Sequence, residues 1–232
     1  KNNFKVAESL YKEILKIKPN HFESIFYLGT LLVQTKNFDE AKQLFQKAIE
    51  IQPNFVAAHN NLGNILLELG EYKKAIGCYE KATQINPNYI SAHNNLGKAL
   101  IELREYRKAM SCYEKIIQIQ PDFVTAHNNL GLIFQELNEF QKAISCYQKA
   151  IQIDPNYINA YNNLGTILGE LGHINEAKQY FEKSLNLDPN NEKTCENYGD
   201  LLLKLNQHSK ALVYIRKGAG FIRFSQKDFK II

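Results

Sequence analysis

Apolar and polar positions along this chain follow a helical period. Leu62, Leu66 and Leu69 stand four and three residues apart, and after a short polar break Ala75, Tyr79 and Ala82 repeat that spacing. Each set marks one buried face of an amphipathic helix. The spacing predicts a first helix, A, over about 55–69 and a second, B, over about 72–85. Asn54 is the candidate N-cap of helix A, because its side-chain oxygen can accept from an unpaired first-turn amide. Gly70 ends the helix by adopting the left-handed conformation without steric cost. Pro87 closes helix B, since it has no N–H to donate and clashes with the preceding turn.

The same pair then recurs. Ala58-His59-Asn60-Asn61-Leu62-Gly63 returns at 92–97 and 126–131, and at 160–165 with Tyr161 in place of histidine. All six prolines, Pro19, Pro53, Pro87, Pro121, Pro155 and Pro189, are spaced by 34 residues. So strict a register marks a repeat architecture, in which each helix pair buries its apolar face by stacking on its neighbours. The fold expected is all-α, a solenoid of antiparallel helix pairs. Gly63, Gly97, Gly131 and Gly165 fall inside helix A, where glycine costs ~1 kcal/mol relative to alanine; close approach of helix A to helix B is the simplest reason for them.

The register also divides the chain. Residues 1–21 hold the second half of a unit, with Ala7 and Tyr11 matching Ala41 and Phe45, and 22–220 hold six units, the last degenerate. There Ile215 replaces the aromatic, Gly218 replaces an alanine, no proline follows, and Gly218-Ala219-Gly220 is expected to break the helix. Residues 221–232 are expected to cap the last unit or to begin a further segment. The start in mid-repeat without Met and the apolar Ile231-Ile232 end are those expected of a piece cut from a longer protein.

Leu62-Gly63, Leu66, Ala75, Tyr79 and Pro87 together resemble the tetratricopeptide repeat, which pairs Leu-Gly in helix A with alanine and an aromatic in helix B and a closing proline. The resemblance covers nearly the whole chain. One departure is the position three residues before Leu-Gly, usually a bulky aromatic, which here holds Ile25, His59, His93, His127, Tyr161 and Cys195. The resemblance implies a right-handed superhelix whose concave surface, lined by A helices, receives an extended peptide or partner helix.

Composition narrows the partner. The net charge of +4 is small for 232 residues and spread along the chain, which does not suggest nucleic acid. No apolar run approaches the roughly 18 residues of a membrane-spanning helix. Cys78, Cys112 and Cys146 share one repeat position, and units about 10 Å apart exceed the disulfide reach of about 7 Å. Free thiols in a reducing, cytoplasmic setting are expected, with the pairing of Cys195 left open. His59, His93 and His127 form a column that cannot gather within the ~2.1 Å that zinc requires, so they are expected to pack between successive A helices. No metal, cofactor or catalytic constellation is indicated.

The candidate site is a polar stripe on helix A. Asn61 and Glu68 are seven residues apart and share a face, as do Asn95 with Glu102, Asn129 with Glu136 and Asn163 with Glu170. A carboxamide can pair with both the C=O and the N–H of an extended peptide and ignore its side chains. The stripe is similar to the asparagine ladder in the superhelical domain of O-linked N-acetylglucosamine transferases, and that resemblance implies peptide contact by Asn61, Asn95, Asn129, Asn163 and Asn197, with Tyr27 in the first unit interrupting it. The preceding Asn60, Asn94, Asn128 and Asn162 lie 100° further round the helix and are expected to be partly exposed to the same groove. The glutamates would favour ligands bearing Lys or Arg, while Lys98 and Lys193 are too scattered for a carboxylate clamp.

These residues point to a protein-interaction scaffold that binds an extended peptide and has no enzyme chemistry in this segment. Two alternatives stand beside it. The array could be the substrate-recruiting arm of a larger glycosyltransferase or oxygenase, or it could self-assemble through its exposed repeat ends.

Overall fold

The structure, a computed structural model, describes residues 2–219, 222–224 and 229–231. It is an all-α repeat solenoid with two compact units, residues 1–121 and 122–232. In the first unit α1 (Asn2–Ile17) packs against α2 (Phe22–Gln34), and three antiparallel pairs follow. These are α2 with α3 (Phe38–Ile51), α4 (Val56–Glu68) with α5 (Tyr72–Ile85), and α6 (Ile90–Glu102) with α7 (Tyr106–Ile119). The second unit pairs α8 (Val124–Glu136) with α9 (Phe140–Ile153), α10 (Ile158–Glu170) with α11 (Ile174–Leu187), and α12 (Glu192–Lys204) with α13 (His208–Ala219). Two short strands, β1 (Ile222–Phe224) and β2 (Phe229–Ile231), then pair antiparallel. The capping role expected of residues 221–232 otherwise lies outside the described residues.

Helix B of the second full unit spans the expected residues, but helix A does not start at its expected cap. Phe55 occupies the N-cap with extended backbone and no side-chain bond, and Asn54 sits in the preceding turn. Side-chain caps form instead at His21, which accepts from the Ser24 amide, and at Asn191, which accepts from the Thr194 amide. The apolar stripe also shifts: Ile65 is 1% exposed, whereas Leu69 is 40% exposed. Leu69 is already the C-cap of α4, beyond the last turn that packs on α5.

Each A–B turn requires a left-handed residue. Gly70 (φ 73°) and Gly172 (φ 83°) supply it cheaply, but Lys36, Arg104, Asn138 and Asn206 hold the same place at φ 57° to 61°. Packing of the two helices therefore overrides a local preference worth about 1–2 kcal/mol for a side-chain-bearing residue.

In every pair but the last, where Ile215 meets Gly199, an aromatic ring is driven into a glycine notch. A β-carbon on Gly63 would lie 2.5 Å from Cε1 of Tyr79, and one on Gly131 2.5 Å from Cε1 of Tyr147. Both tyrosines are fully buried. The interior glycines thus exist for the close approach of helix A to helix B. α13 ends at Ala219, within the Gly218-Ala219-Gly220 stretch expected to break it, and Gly218 faces the Glu192 carbonyl and Glu196 across a similarly tight contact.

Two members of the histidine column, His59 and His93, bond to the turn that precedes their own helix. Nε2 of His59 lies 2.8 Å from the Pro53 carbonyl and Nε2 of His93 2.9 Å from that of Pro87. A carbonyl only accepts, so the hydrogen sits on Nε2. The Tyr161 hydroxyl donates to the Pro155 carbonyl at 3.0 Å. These polar or amphipathic side chains pin the inter-repeat turn from six residues downstream. All four cysteines are free, Cys195 included.

Candidate functional site

On the A helices the asparagines do not stand separately; they bond to one another from one repeat to the next. In the second unit Asn197 Nδ2 donates to Asn162 Oδ1 at 3.0 Å, Asn162 Nδ2 to Asn163 Oδ1 at 3.4 Å, Asn163 Nδ2 to Asn128 Oδ1 at 3.0 Å, and Asn128 Nδ2 to Asn129 Oδ1 at 3.3 Å. Five carboxamides form a single directed row. In the first unit Asn95 Nδ2 donates to Asn60 Oδ1 at 3.1 Å and Asn60 Nδ2 to Asn61 Oδ1 at 3.4 Å. Each link between helices joins an asparagine to the other asparagine position of the unit before it.

This arrangement corrects one expectation. Asn60, Asn128 and Asn162 are 2–5% exposed and not partly open to a groove. They bridge neighbouring A helices, and their burial is tolerated because the row satisfies their polar atoms. Asn129 and Asn163 are also buried, while Asn61, Asn94, Asn95 and Asn197 are half-buried. The Asn94 Oδ1 atom is buried and has no hydrogen-bond partner. Glu68, Glu102, Glu136, Glu170 and Lys98 are all exposed.

Two cavities open on this face, one in each unit. The first, about 480 Å³, is lined by Asn64 and Glu68 of α4, Asn95 and Lys98 of α6, and by Val33 and Phe38. The second, about 180 Å³, is lined by Thr166, Gly169 and Glu170 of α10 and by Asn197, Asp200 and Lys204 of α12. In each, an asparagine from one repeat faces a glutamate from the repeat before it. Both cavities mix carboxylate, ammonium and carboxamide groups, which suits the polar backbone and charged side chains of a peptide.

Asn64, Thr166 and Asp200 belong to this site although the sequence did not single them out. Asn64 follows Asn61 by three residues and Asp200 follows Asn197 by three, a spacing that keeps them on one helix face. Asn64 Oδ1 accepts from both Asn95 Nδ2, at 2.9 Å, and the Tyr79 hydroxyl, at 2.8 Å. Burial pushes the Tyr79 hydroxyl well above its ordinary pKa, so it stays protonated and keeps donating. Burial likewise pushes the Cys112 and Cys146 thiols up to about 11, which leaves little thiolate for chemistry near neutrality. Among the described residues no group of three or more His, Cys, Asp or Glu gathers as a metal site, and no helix is long and apolar enough to cross a membrane.

Paired helices of fixed length, glycine notches and proline-closed turns define a class, the helical repeat scaffold. The chain belongs to the tetratricopeptide repeat family. Models described as TPR repeat match residues 63–103 and as tetratricopeptide repeat match 90–123, 124–157 and 146–179. A model described as anaphase-promoting complex, cyclosome, subunit 3 matches residues 1–82. Among solved structures the chain is similar to MamA, with 28% identity, a TM-score of 0.65, and coverage of 70% of this chain and 95% of that one. A tetratricopeptide repeat protein from Parabacteroides merdae superposes with a TM-score of 0.81 at 18% identity, over 97% of this chain and 89% of its own. YrrB, described as a TPR protein with an unusual peptide-binding site, has a TM-score of 0.65 at 17% identity, over 79% of this chain and 95% of its own. No curated protein sequence matches.

Proposed function

We propose that this chain is a protein-interaction scaffold that binds an extended peptide along the A-helix face. The observation that carries the reading is the pair of cavities, each of which sets a ladder asparagine beside a glutamate of the preceding repeat: Asn95 with Glu68, and Asn197 with Glu170. Carboxamides at the cavity edge bond peptide backbone, and the exposed Glu68, Glu102, Glu136 and Glu170 select Lys or Arg side chains. Asn61, Asn95, Asn129, Asn163 and Asn197 form the contact column, with Asn60, Asn128 and Asn162 holding it in register, the unpartnered Asn94 carbonyl available beside it, and Lys98 adding a cation at one end. The fold is shared with YrrB, whose description includes a peptide-binding site, which makes this use of the surface a natural one. Because helices present the contact groups, ordering cost falls mainly on the peptide, and affinity accumulates from many modest contacts.

The test is binding of an array of diverse dodecapeptides to wild type and to the combined Asn61, Asn95, Asn129 and Asn163→Ala variant, with helical content checked by circular dichroism. Broad binding that the variant loses, enriched in Lys- and Arg-bearing peptides, supports the reading. Equal binding by a variant that is still helical, or no binding by wild type, overturns it. A second reading, self-association through α1, has in its favour the exposed apolar residues Leu10, Ile14 and Ile17 on that helix. Mass that rises with concentration in light scattering would support it, and a monomer at high concentration would exclude it.

A further inference from the structure

The row of carboxamides fixes which of its own atoms are left for a ligand. Each asparagine has two N–H donors and one carbonyl acceptor, so the bonds already made can be subtracted. Asn197 spends both N–H groups, on Asn162 Oδ1 and, at 3.2 Å, on Thr166 Oγ1. Asn95 spends both of its own, on Asn60 Oδ1 and Asn64 Oδ1. Neither carbonyl receives a bond from a described residue. Asn163 differs, because it donates only to Asn128; the residue in the place of Asn64 and Thr166 is Leu132, which has nothing to accept with. Asn61 donates to no described residue; the residue that stands to it as Asn128 stands to Asn163 is Phe26, whose side chain has nothing to accept with.

The orientation of the row is set at one atom. The Thr166 hydroxyl donates to the Asn162 main-chain carbonyl at 2.9 Å, so toward Asn197 it can only accept. That turns the Asn197 amide group inward and its carbonyl outward. Asn162 must then present Oδ1 to Asn197 and Nδ2 to Asn163, and the same logic carries the direction on to Asn128. The residue three positions after each ladder asparagine thus decides what the next ladder asparagine can offer.

We propose that Asn64 and Thr166 set the specificity of the peptide face, making Asn95 and Asn197 acceptors that hold peptide N–H groups, while Asn61 and Asn163 remain donors that hold peptide C=O groups. In each unit a donor rung is followed by an acceptor rung. A peptide on either unit must therefore offer a free backbone N–H at that unit's acceptor rung, and proline or an N-methylated residue is rejected there. This inference rests on the peptide-binding reading, and its test separates the two.

In the free protein, side-chain amide hydrogen exchange is measured by nuclear magnetic resonance for wild type and Thr166→Val. Both carboxamide hydrogens of Asn95 and Asn197 are expected to exchange roughly tenfold or more slowly than those of Asn61, and one Asn197 hydrogen is expected to lose its protection in Thr166→Val. Equal rates at Asn61, Asn95 and Asn197 overturn the inference whether or not any peptide binds. A dodecapeptide selected from a random phage-displayed library on wild type is then scanned by N-methylation. One position is expected to lose affinity by about three- to tenfold, and for a peptide whose binding is lost in Asn197→Ala, Thr166→Val is expected to erase that loss. A flat scan, or a scan of a peptide that needs Asn197 left unchanged by Thr166→Val, overturns the inference and leaves peptide binding standing. Selection of no peptide, with the exchange pattern intact, overturns the peptide-binding reading and with it the assignment of the rungs.

Discussion

Glycine to alanine at two places in one helix pair should change stability in opposite directions. Gly77 lies within α5, and a β-carbon there would meet nothing within 4 Å. Gly77→Ala therefore gains only the helix-propensity difference and should stabilise by about 0.5–1 kcal/mol. Gly63 lies within α4, and its β-carbon would stand 2.5, 2.8 and 2.9 Å from three carbons of the Tyr79 ring. Carbon contacts are favourable near about 3.5–4.0 Å, so the ring would have to retreat by roughly 1 Å. Tyr79 is fully buried, so the retreat has to be made against packed neighbours and not into solvent. Overpacking of this kind costs about 1–3 kcal/mol, and displacing the hydroxyl from Asn64 adds about 1 kcal/mol. The propensity gain of ~1 kcal/mol offsets part of this, leaving Gly63→Ala less stable by about 1–3 kcal/mol. Urea unfolding followed by far-UV circular dichroism measures both variants against wild type, and hydrogen exchange localises the loss to α4 and α5 because repeats couple mainly to their neighbours. Gly165→Ala should cost less than Gly63→Ala, since its closest ring contact, with Phe181, is 3.0 Å. A Gly63→Ala protein as stable as Gly77→Ala would refute the claim that the ring, and not local propensity, requires the glycine.

Two further outcomes follow from local bonds. Lys42 of α3, at 2.7 Å, and Lys74 hold the Glu71 carboxyl down to about 2; since its folded pKa lies below the ordinary value, the stability it adds is present above about pH 4.5 and is lost as pH falls toward 2. The acid limb of the unfolding curve should be shallower in Glu71→Gln, and a carboxyl ¹³C titration that places Glu71 in the ordinary carboxylate range would contradict the ion pair. Tyr161→Phe deletes only the hydroxyl bond to the Pro155 carbonyl and should destabilise the second unit by about 0.5–1.5 kcal/mol, checked by thermal unfolding; no change would mean that the bond merely replaces one to water.

The period of 34 was written in the sequence, because it depends only on which residues share a helix face and on where Gly and Pro interrupt it. The pairing of helices followed, as did the reason for Gly63 and Gly131, since an interior glycine is costly unless something approaches closely. Helical spacing likewise marked a candidate polar stripe, and of its members Asn95 and Glu68 line one cavity and Asn197 and Glu170 another.

What the stripe does with its own atoms was decided only by tertiary structure. A contact such as Asn197 to Asn162 spans 35 residues, and whether two carboxamides meet at 3 Å or miss depends on how far apart the packed helices hold them, which no periodicity encodes. The burial of Asn60, Asn128 and Asn162, the left-handed backbone of Lys36 and Arg104, and the turn from His59 to the Pro53 carbonyl belong to the same class. In each, a neighbouring helix or turn supplies the partner or the compression that overrides what the residue would do alone. The sequence by itself determined the repeat and the face it presents; the packing of one repeat on the next determined which atoms of that face remain to bind anything else.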